Sequence, residues 1–155
     1  MRVLVLTVSD RAAVGVYEDK SGPEVTAVLA GSFPDAAIAS AVVPDEKASI
    51  RAAFEANAAC DCIITTGGTG LSPRDVTPEA TSAYCDRMVP GIAEMLRRES
   101  LRQTPYAALS RGVAGMKGGC IIINLPGSAS GAAFCTELLV PLLRHAFDIR
   151  DGKGH

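Results

Sequence analysis

Short apolar runs alternate along the chain with longer segments in which hydrophobic residues recur every three or four positions. Residues 2–8, 36–43, 61–66 and 120–124 read as strands. The last holds Ile121, Ile122 and Ile123 in succession, the pattern of a strand buried on both faces. Residues 21–29, 46–58, 77–84, 90–102 and 128–147 read as helices. The first has a serine at its N-cap region and Pro23 near its first turn; Thr77-Pro78 reads as an N-cap threonine followed by proline at the first helical position. The spacing in 90–102 puts Ile92, Met95 and Leu96 on one side and turns Arg97, Arg98 and Arg102 elsewhere. The last helix aligns Phe134, Leu138 and Leu142 in one row and Leu139, Leu143 and Phe147 in the next, and Pro141 should bend it. Strand and helix in this alternation predict an α/β fold: one three-layer α/β/α domain over 1–155, with a mainly parallel sheet covered on both faces.

Composition agrees with that size and narrows the class. A chain of 155 residues fits one domain of about 100–200 residues. With 48% hydrophobic and 21% charged residues it can bury a core, and a net charge of −2 argues against a nucleic-acid binder, which needs a basic excess. The apolar run at the N-terminus meets Ser9-Asp10-Arg11 too soon for a secretory signal, and no stretch approaches the roughly 20 residues of a membrane span. Five cysteines, Cys60, Cys62, Cys85, Cys120 and Cys135, cannot all pair with one another and lack paired CxxC knuckles. Most of them read as small buried hydrophobes, and the set as that of a reduced, cytoplasmic protein. His145 reads as a partly buried structural or interface residue and His155 as part of a frayed tail.

In an open parallel sheet, ligands bind beyond the carboxyl ends of the strands. The loops leaving those ends are Ser9-Asp10-Arg11, Pro44-Asp45-Glu46, the run from Gly67 through Asp75, and Leu125-Pro126-Gly127-Ser128. Within the third, Thr65-Thr66-Gly67-Gly68-Thr69-Gly70 empties a strand into glycines whose amides can approach an anion without side chains in the way. Asp75 follows just before a helix start. A carboxylate beside bound phosphate calls for a cation between them, so the run suggests a phosphate ligand carried with Mg²⁺. Plainer roles are open for the rest: Asp45 and Ser128 as helix caps, Gly127 and Ser110 as turn residues, Arg111 as a surface ion pair.

These segments together carry a family resemblance. Ser9-Asp10-Arg11, Asp19-Lys20-Ser21-Gly22, Val43-Pro44-Asp45-Glu46, TTGGTG with RDVTPEAT, Met88-Val89-Pro90-Gly91, Leu109-Ser110-Arg111 and Ile123-Asn124-Leu125-Pro126-Gly127 span nearly the whole chain. In them the sequence resembles the MogA/MoaB-type molybdopterin adenylyltransferases, a group that includes the G domain of gephyrin. Ala129 stands where that family usually carries proline after its LPG segment.

The resemblance implies molybdenum cofactor biosynthesis, with Mg²⁺-dependent transfer of AMP from ATP to the terminal phosphate of molybdopterin. It implies Mg²⁺ at Asp45 and Asp75. It implies substrate contacts at Ser9, Asp10, Thr66, Gly67, Gly68, Thr69, Gly70, Ser110, Arg111, Asn124, Pro126, Gly127 and Ser128, with Ser110 and Arg111 near the pterin. A homotrimer and hand-over to a molybdenum-inserting enzyme belong to the same expectation; nucleic acid and membrane do not. Two other readings compete. A nicotinamide enzyme is disfavoured because the glycines follow the third strand and GxGxxG is absent. A non-catalytic molybdopterin-binding scaffold gains nothing from two like charges beside an anion site.

Overall fold

The computed structural model describes residues 1–150 and 152. The elements run β1 (Arg2–Val8), α1 (Asp10–Ala13), α2 (Ser21–Ser32), β2 (Ala37–Val43), α3 (Lys47–Ala56), β3 (Cys62–Thr66), α4 (Thr77–Tyr84), β4 (Arg87–Met88), α5 (Pro90–Ser100), a 3-10 turn (Pro105–Leu109), β5 (Ala114–Lys117), β6 (Cys120–Leu125) and α6 (Ala129–Arg150). One six-stranded sheet has the order β2-β1-β3-β6-β5-β4. The first four strands are parallel, and β5 and β4 add an antiparallel edge. The mainly parallel sheet expected from the alternation is therefore present, in a three-layer arrangement.

Strand periodicity divides the core into two halves. Val3, Val5, Cys62, Ile64, Ile121, Ile123 and Leu125 face α2, α5 and α6, where Val25, Leu29, Leu96, Ala132, Cys135, Leu139 and Leu143 meet them. Leu4, Leu6, Val8, Ile63 and Ile122 face the other way, onto Ile50 and Phe54 of α3 and Ala80 of α4. Each buried aliphatic side chain is worth roughly 1.5–3 kcal/mol, so the consecutive isoleucines of β6 fix its register from both sides. β2 is the open edge and is only half covered.

Several local expectations change. β4, β5, α1 and the 3-10 turn were not foreseen: β4 has two residues, and β5 reads Ala-Gly-Met-Lys, without β-branched residues. In α6 the buried stripe is Ala132, Cys135, Leu139 and Leu143, while of the other row Leu138 packs partly against the core and Leu142 is 37% exposed. The helix continues past Pro141. That proline and Glu137, whose carbonyl loses its usual donor, both lie at the surface, open to solvent. Ser21 does not cap α2. Asp19 does, accepting from the Gly22 amide (3.0 Å) and the Ser21 hydroxyl (3.2 Å). His145 is exposed on α6, and His155 lies outside the described residues.

β6 is locked to its neighbours by Asn124, which is 5% exposed. Its Nδ2 donates to Thr65 Oγ1 (3.0 Å) and Thr81 Oγ1 (2.9 Å), and its Oδ1 accepts from the Val113 amide (3.2 Å). One side chain thus ties β3, β6, α4 and the segment entering β5. Replacing it by alanine would remove the partner of two buried hydroxyls and of the half-buried Val113 amide. We expect Asn124→Ala to cost at least about 2 kcal/mol, read as a lower urea midpoint at unchanged slope.

Candidate active site

The strand order reverses between β1 and β3, because β1 connects outward to β2 and the chain then crosses back to β3. The crevice at that reversal lies beyond the carboxyl ends of the strands. All four expected loops converge on it. Ser9 follows β1 and caps α1, its hydroxyl accepting from the Ala12 amide (3.2 Å). Thr66 ends β3 and donates to the Pro126 carbonyl (2.7 Å), drawing the loop after β6 against the glycines.

The glycine run turns its carbonyls inward and its amides outward. Gly67 and Gly68 have positive φ (95° and 62°), and a Cβ on Gly67 would collide with the Val8 carbonyl. The Gly67 amide pairs with the Leu125 carbonyl (3.3 Å), closing the end of the sheet. Its carbonyl accepts from Thr77 Oγ1 (3.0 Å), that of Gly68 from the Thr77 amide (3.1 Å), and that of Thr69 from the Arg111 amide (2.9 Å). The Gly70 carbonyl accepts from Arg111 Nε (2.7 Å). The amides of Gly68, Thr69, Gly70 and Leu71 bond to no other described residue. Successive unpaired amides of this kind form an anion-binding concavity. Thr77, expected as the N-cap of α4, is its first residue, and its hydroxyl serves the Gly67 carbonyl instead.

Two carboxylates flank this cradle. A Cβ on Gly68 would stand 2.9 Å from Asp45 Oδ1, and one on Gly70 would stand 2.9 Å from Asp75 Oδ2. Asp45 caps no helix. It is held to the loop after β1 by reciprocal bonds: the Asp10 amide donates to Asp45 Oδ2 (2.8 Å) and the Asp45 amide to Asp10 Oδ1 (3.0 Å). Asp75 Oδ2 accepts from the Ser72 amide (2.9 Å). Burial raises the Asp45 pKa above its ordinary value, and the charges of Asp10 and Asp75 add to the rise. Asp10 moves the opposite way because Arg74 clamps it, Nε to Oδ2 at 3.0 Å and Nη2 to Oδ1 at 2.9 Å, and the Asp45 amide adds to the effect.

A Mg²⁺ ion uses one or two carboxylates and otherwise keeps water and substrate phosphates. Asp45 Oδ1 and Asp75 Oδ1 accept no hydrogen bond from described residues, leaving one free oxygen on each. Among those residues no group of three or more His, Cys, Asp or Glu side chains could hold a metal by itself. The pair therefore fits a hydrated cation that arrives with phosphate, and does not fit a closed protein cage.

Beside the cradle lies a cleft with an apolar floor at Ala93, Leu96 and Cys135 and polar walls that include Gln103, Thr104, Ser110 and Ser128. Asn124, Pro126 and Gly131 also line it. Ser110 Oγ accepts from the Gly112 amide (3.3 Å) and keeps its own proton to donate. Gly127 packs against the cradle itself, since a Cβ there would stand 3.2 Å from Gly67 Cα. Arg111 turns into the protein, with Nη1 on Glu79 and Nη2 on the Asp75 carbonyl (2.7 Å). Asn124 likewise spends both amide hydrogens and its oxygen inside the fold. Arg74, Gln103 and Thr104 were not singled out from sequence, and Thr77 only as a helix cap; Arg74 and Thr77 stand in the RDVTPEAT run, which carried the signal.

A family model described as "Probable molybdopterin binding domain" matches residues 4–145. The chain belongs to this family. It is 40% identical over 151 residues to a molybdopterin adenylyltransferase of Helicobacter pylori, covering 94% of this chain and 85% of that protein. Among solved structures, the molybdopterin biosynthesis enzyme MoaB of Thermus thermophilus superposes with a TM-score of 0.87 at 46% identity, covering 99% and 98% of the two chains. The tungsten cofactor synthesizing MoaB of Pyrococcus furiosus gives 0.82 at 31% identity, covering 99% and 97%. No described helix is long and apolar enough to cross a membrane.

The Arg74 clamp has a readable pH signature. Because the folded Asp10 pKa lies below its unfolded value, the clamp contributes stability above about pH 4, lost as pH falls through the folded value. Carboxyl NMR titration should place Asp10 below the ordinary aspartate range and Asp45 above it. Arg74→Ala should raise both, since the guanidinium lowers each.

Proposed function

We propose that this domain transfers AMP from ATP to the terminal phosphate of molybdopterin, releasing pyrophosphate. The carrying observation is the row of unpaired amides at Gly68, Thr69 and Gly70, set between two carboxylates and beside a cleft with an apolar floor and polar walls. The nucleophile is the substrate's own phosphate oxygen, which attacks the α-phosphorus of ATP while the bond to the β-phosphate oxygen breaks. The protein needs no activated serine or cysteine; its work is alignment and charge neutralisation. The amides of the cradle would hold phosphoryl oxygens, and the Ser110 hydroxyl would donate to the pterin end. Asp45 and Asp75 would hold Mg²⁺, which when bound neutralises phosphate charge and polarises the phosphorus.

The names of the relatives support this reading. A non-catalytic scaffold of the same fold fits less well, because the paired acids would only repel the ligand. Both substrates would be handled by one domain in the cytoplasm, consistent with five free cysteines. The product would pass to a molybdenum-inserting enzyme; a tungsten pathway is equally compatible with the site.

Asp75→Asn and Asp45→Asn keep shape and remove charge. Each should lower turnover by about a hundredfold or more while molybdopterin still binds. Ser110→Ala should do the reverse, weakening molybdopterin binding by about 1–3 kcal/mol and leaving ATP affinity nearly intact. Product formation and equilibrium titration separate the two patterns, and normal turnover in either aspartate variant rejects the metal assignment.

We also propose a homotrimer. The outer edge strand β2 carries no charge, and the exposed Pro23, Ala27 and Ala30 of α2 beside it leave an aliphatic surface that a second copy would cover. Sedimentation at micromolar concentration should give three times the 16.0 kDa of one chain. One or two times that mass would reject the trimer.

A further inference from the structure

Arg111 sits next to the cleft serine, but most of its hydrogen bonding is directed at main chain. Its amide takes the Thr69 carbonyl (2.9 Å), Nε the Gly70 carbonyl (2.7 Å) and Nη2 the Asp75 carbonyl (2.7 Å), while Nη1 meets Glu79 in the first turn of α4. A peptide unit is planar and trans, so its N–H points opposite to its C=O. Drawing the Thr69 carbonyl inward therefore turns the Gly70 amide outward, and drawing in the Gly70 carbonyl does the same for Leu71. Thr77 performs this service for the other half, through the Gly67 and Gly68 carbonyls, whose planes carry the amides of Gly68 and Thr69.

We infer that Arg111 is a positioning residue: by holding the Thr69, Gly70 and Asp75 carbonyls it aims the Gly70 and Leu71 amides and seats the Asp75 carboxylate, and it binds no substrate phosphate itself. Three of its five guanidinium hydrogens are committed, two to the Gly70 and Asp75 carbonyls and one to Glu79, while its main-chain amide holds the Thr69 carbonyl. Its charge is offset by Glu79, whose second oxygen is buried without a partner, so the pair offers an incoming anion little net attraction. The planar guanidinium is the group required, because a lysine ammonium cannot meet three acceptors in a fixed fork. The residue also joins the two halves of the site, since Ser110 precedes it and lines the cleft.

The inference rests on the adenylyl-transfer reading for its kinetics but not for its geometry, and two measurements keep these apart. First, inorganic pyrophosphate is titrated into isotope-labelled protein and the amide resonances of Gly68, Thr69, Gly70 and Leu71 are followed. All four should respond in the wild type. In Arg111→Ala the Leu71 response should be lost, because the Gly70 carbonyl loses Nε, while those of Gly68 and Thr69, held by Thr77, and of Gly70, whose plane the main-chain amide of residue 111 still holds, persist. Second, Arg111→Ala should lower kcat about 10- to 100-fold and raise the Mg²⁺ concentration for half-maximal rate about tenfold, with both substrate KM values within about twofold. Arg111→Lys should not restore either quantity. Glu79→Gln, a milder change that leaves the carbonyl bonds in place, should shift both in the same direction by less, and serves if Arg111→Ala does not fold.

A tenfold or greater rise in the KM for ATP or molybdopterin, at unchanged Mg²⁺ requirement, would overturn the inference and make Arg111 an anion ligand. So would wild-type amides that ignore pyrophosphate, or a variant with lowered Tm and normal kcat. If the wild type forms no adenylylated product, the function fails while the amide titration still judges the clamp.

Discussion

The close approach of Gly67 to the end of β1 is the constraint on which the site depends. β1 and β3 pair in parallel as far as Thr7 and Thr66, and at the next residue the chain must leave the sheet with its backbone pressed against the Val8 carbonyl. Only a residue without a Cβ passes there, and the left-handed conformation it adopts begins the turn that presents the amides. Gly127, arriving from β6, packs on the same Cα. Three strands thus meet at bare backbone, which is why an anion can come within hydrogen-bond reach of the main chain at this crevice.

Charge around that point is arranged in opposed pairs. Asp10 is matched by Arg74 and Glu79 by Arg111, and both acids are held below their usual protonation range by those partners. Asp45 has no such match. Its carboxylate is half-buried beside two other acids and rises instead. The unbalanced negative charge is therefore concentrated where the free carboxylate oxygens lie, so the cradle, which favours anions, and the acids, which disfavour them, become compatible when a cation joins them.

Much of this was legible in the sequence because its physics is periodic or compositional. The triple isoleucine of β6, the alternating β1 and the glycine run announce a buried strand, a sheet face and a tight turn through residue types alone. What escaped depends on partners distant in sequence. Asn124 lines the cleft with its amide bonded to Thr65 and Thr81, and Thr66 donates to the Pro126 carbonyl, pairings between distant segments that no local pattern announces. Thr77 has the composition of an N-cap, yet it is the first helical residue and its hydroxyl donates to a carbonyl ten residues earlier. β5 escaped for the opposite reason: a four-residue strand with glycine in it has no pattern of its own, and only its two-residue turn at Gly118-Gly119 into β6 hints at pairing.

The cradle is made of main chain, and the cleft beside it of side chains such as Gln103, Thr104 and Ser110. Heredity acts on these two parts unequally. On the adenylyl-transfer reading proposed above, drift in the cleft would alter which ring is admitted without disturbing the main-chain cradle, whereas a Cβ at Gly67 or Gly68 collides with its surroundings at a positive φ. A lineage built on this plan would therefore diversify at its side-chain end while its backbone end stays fixed.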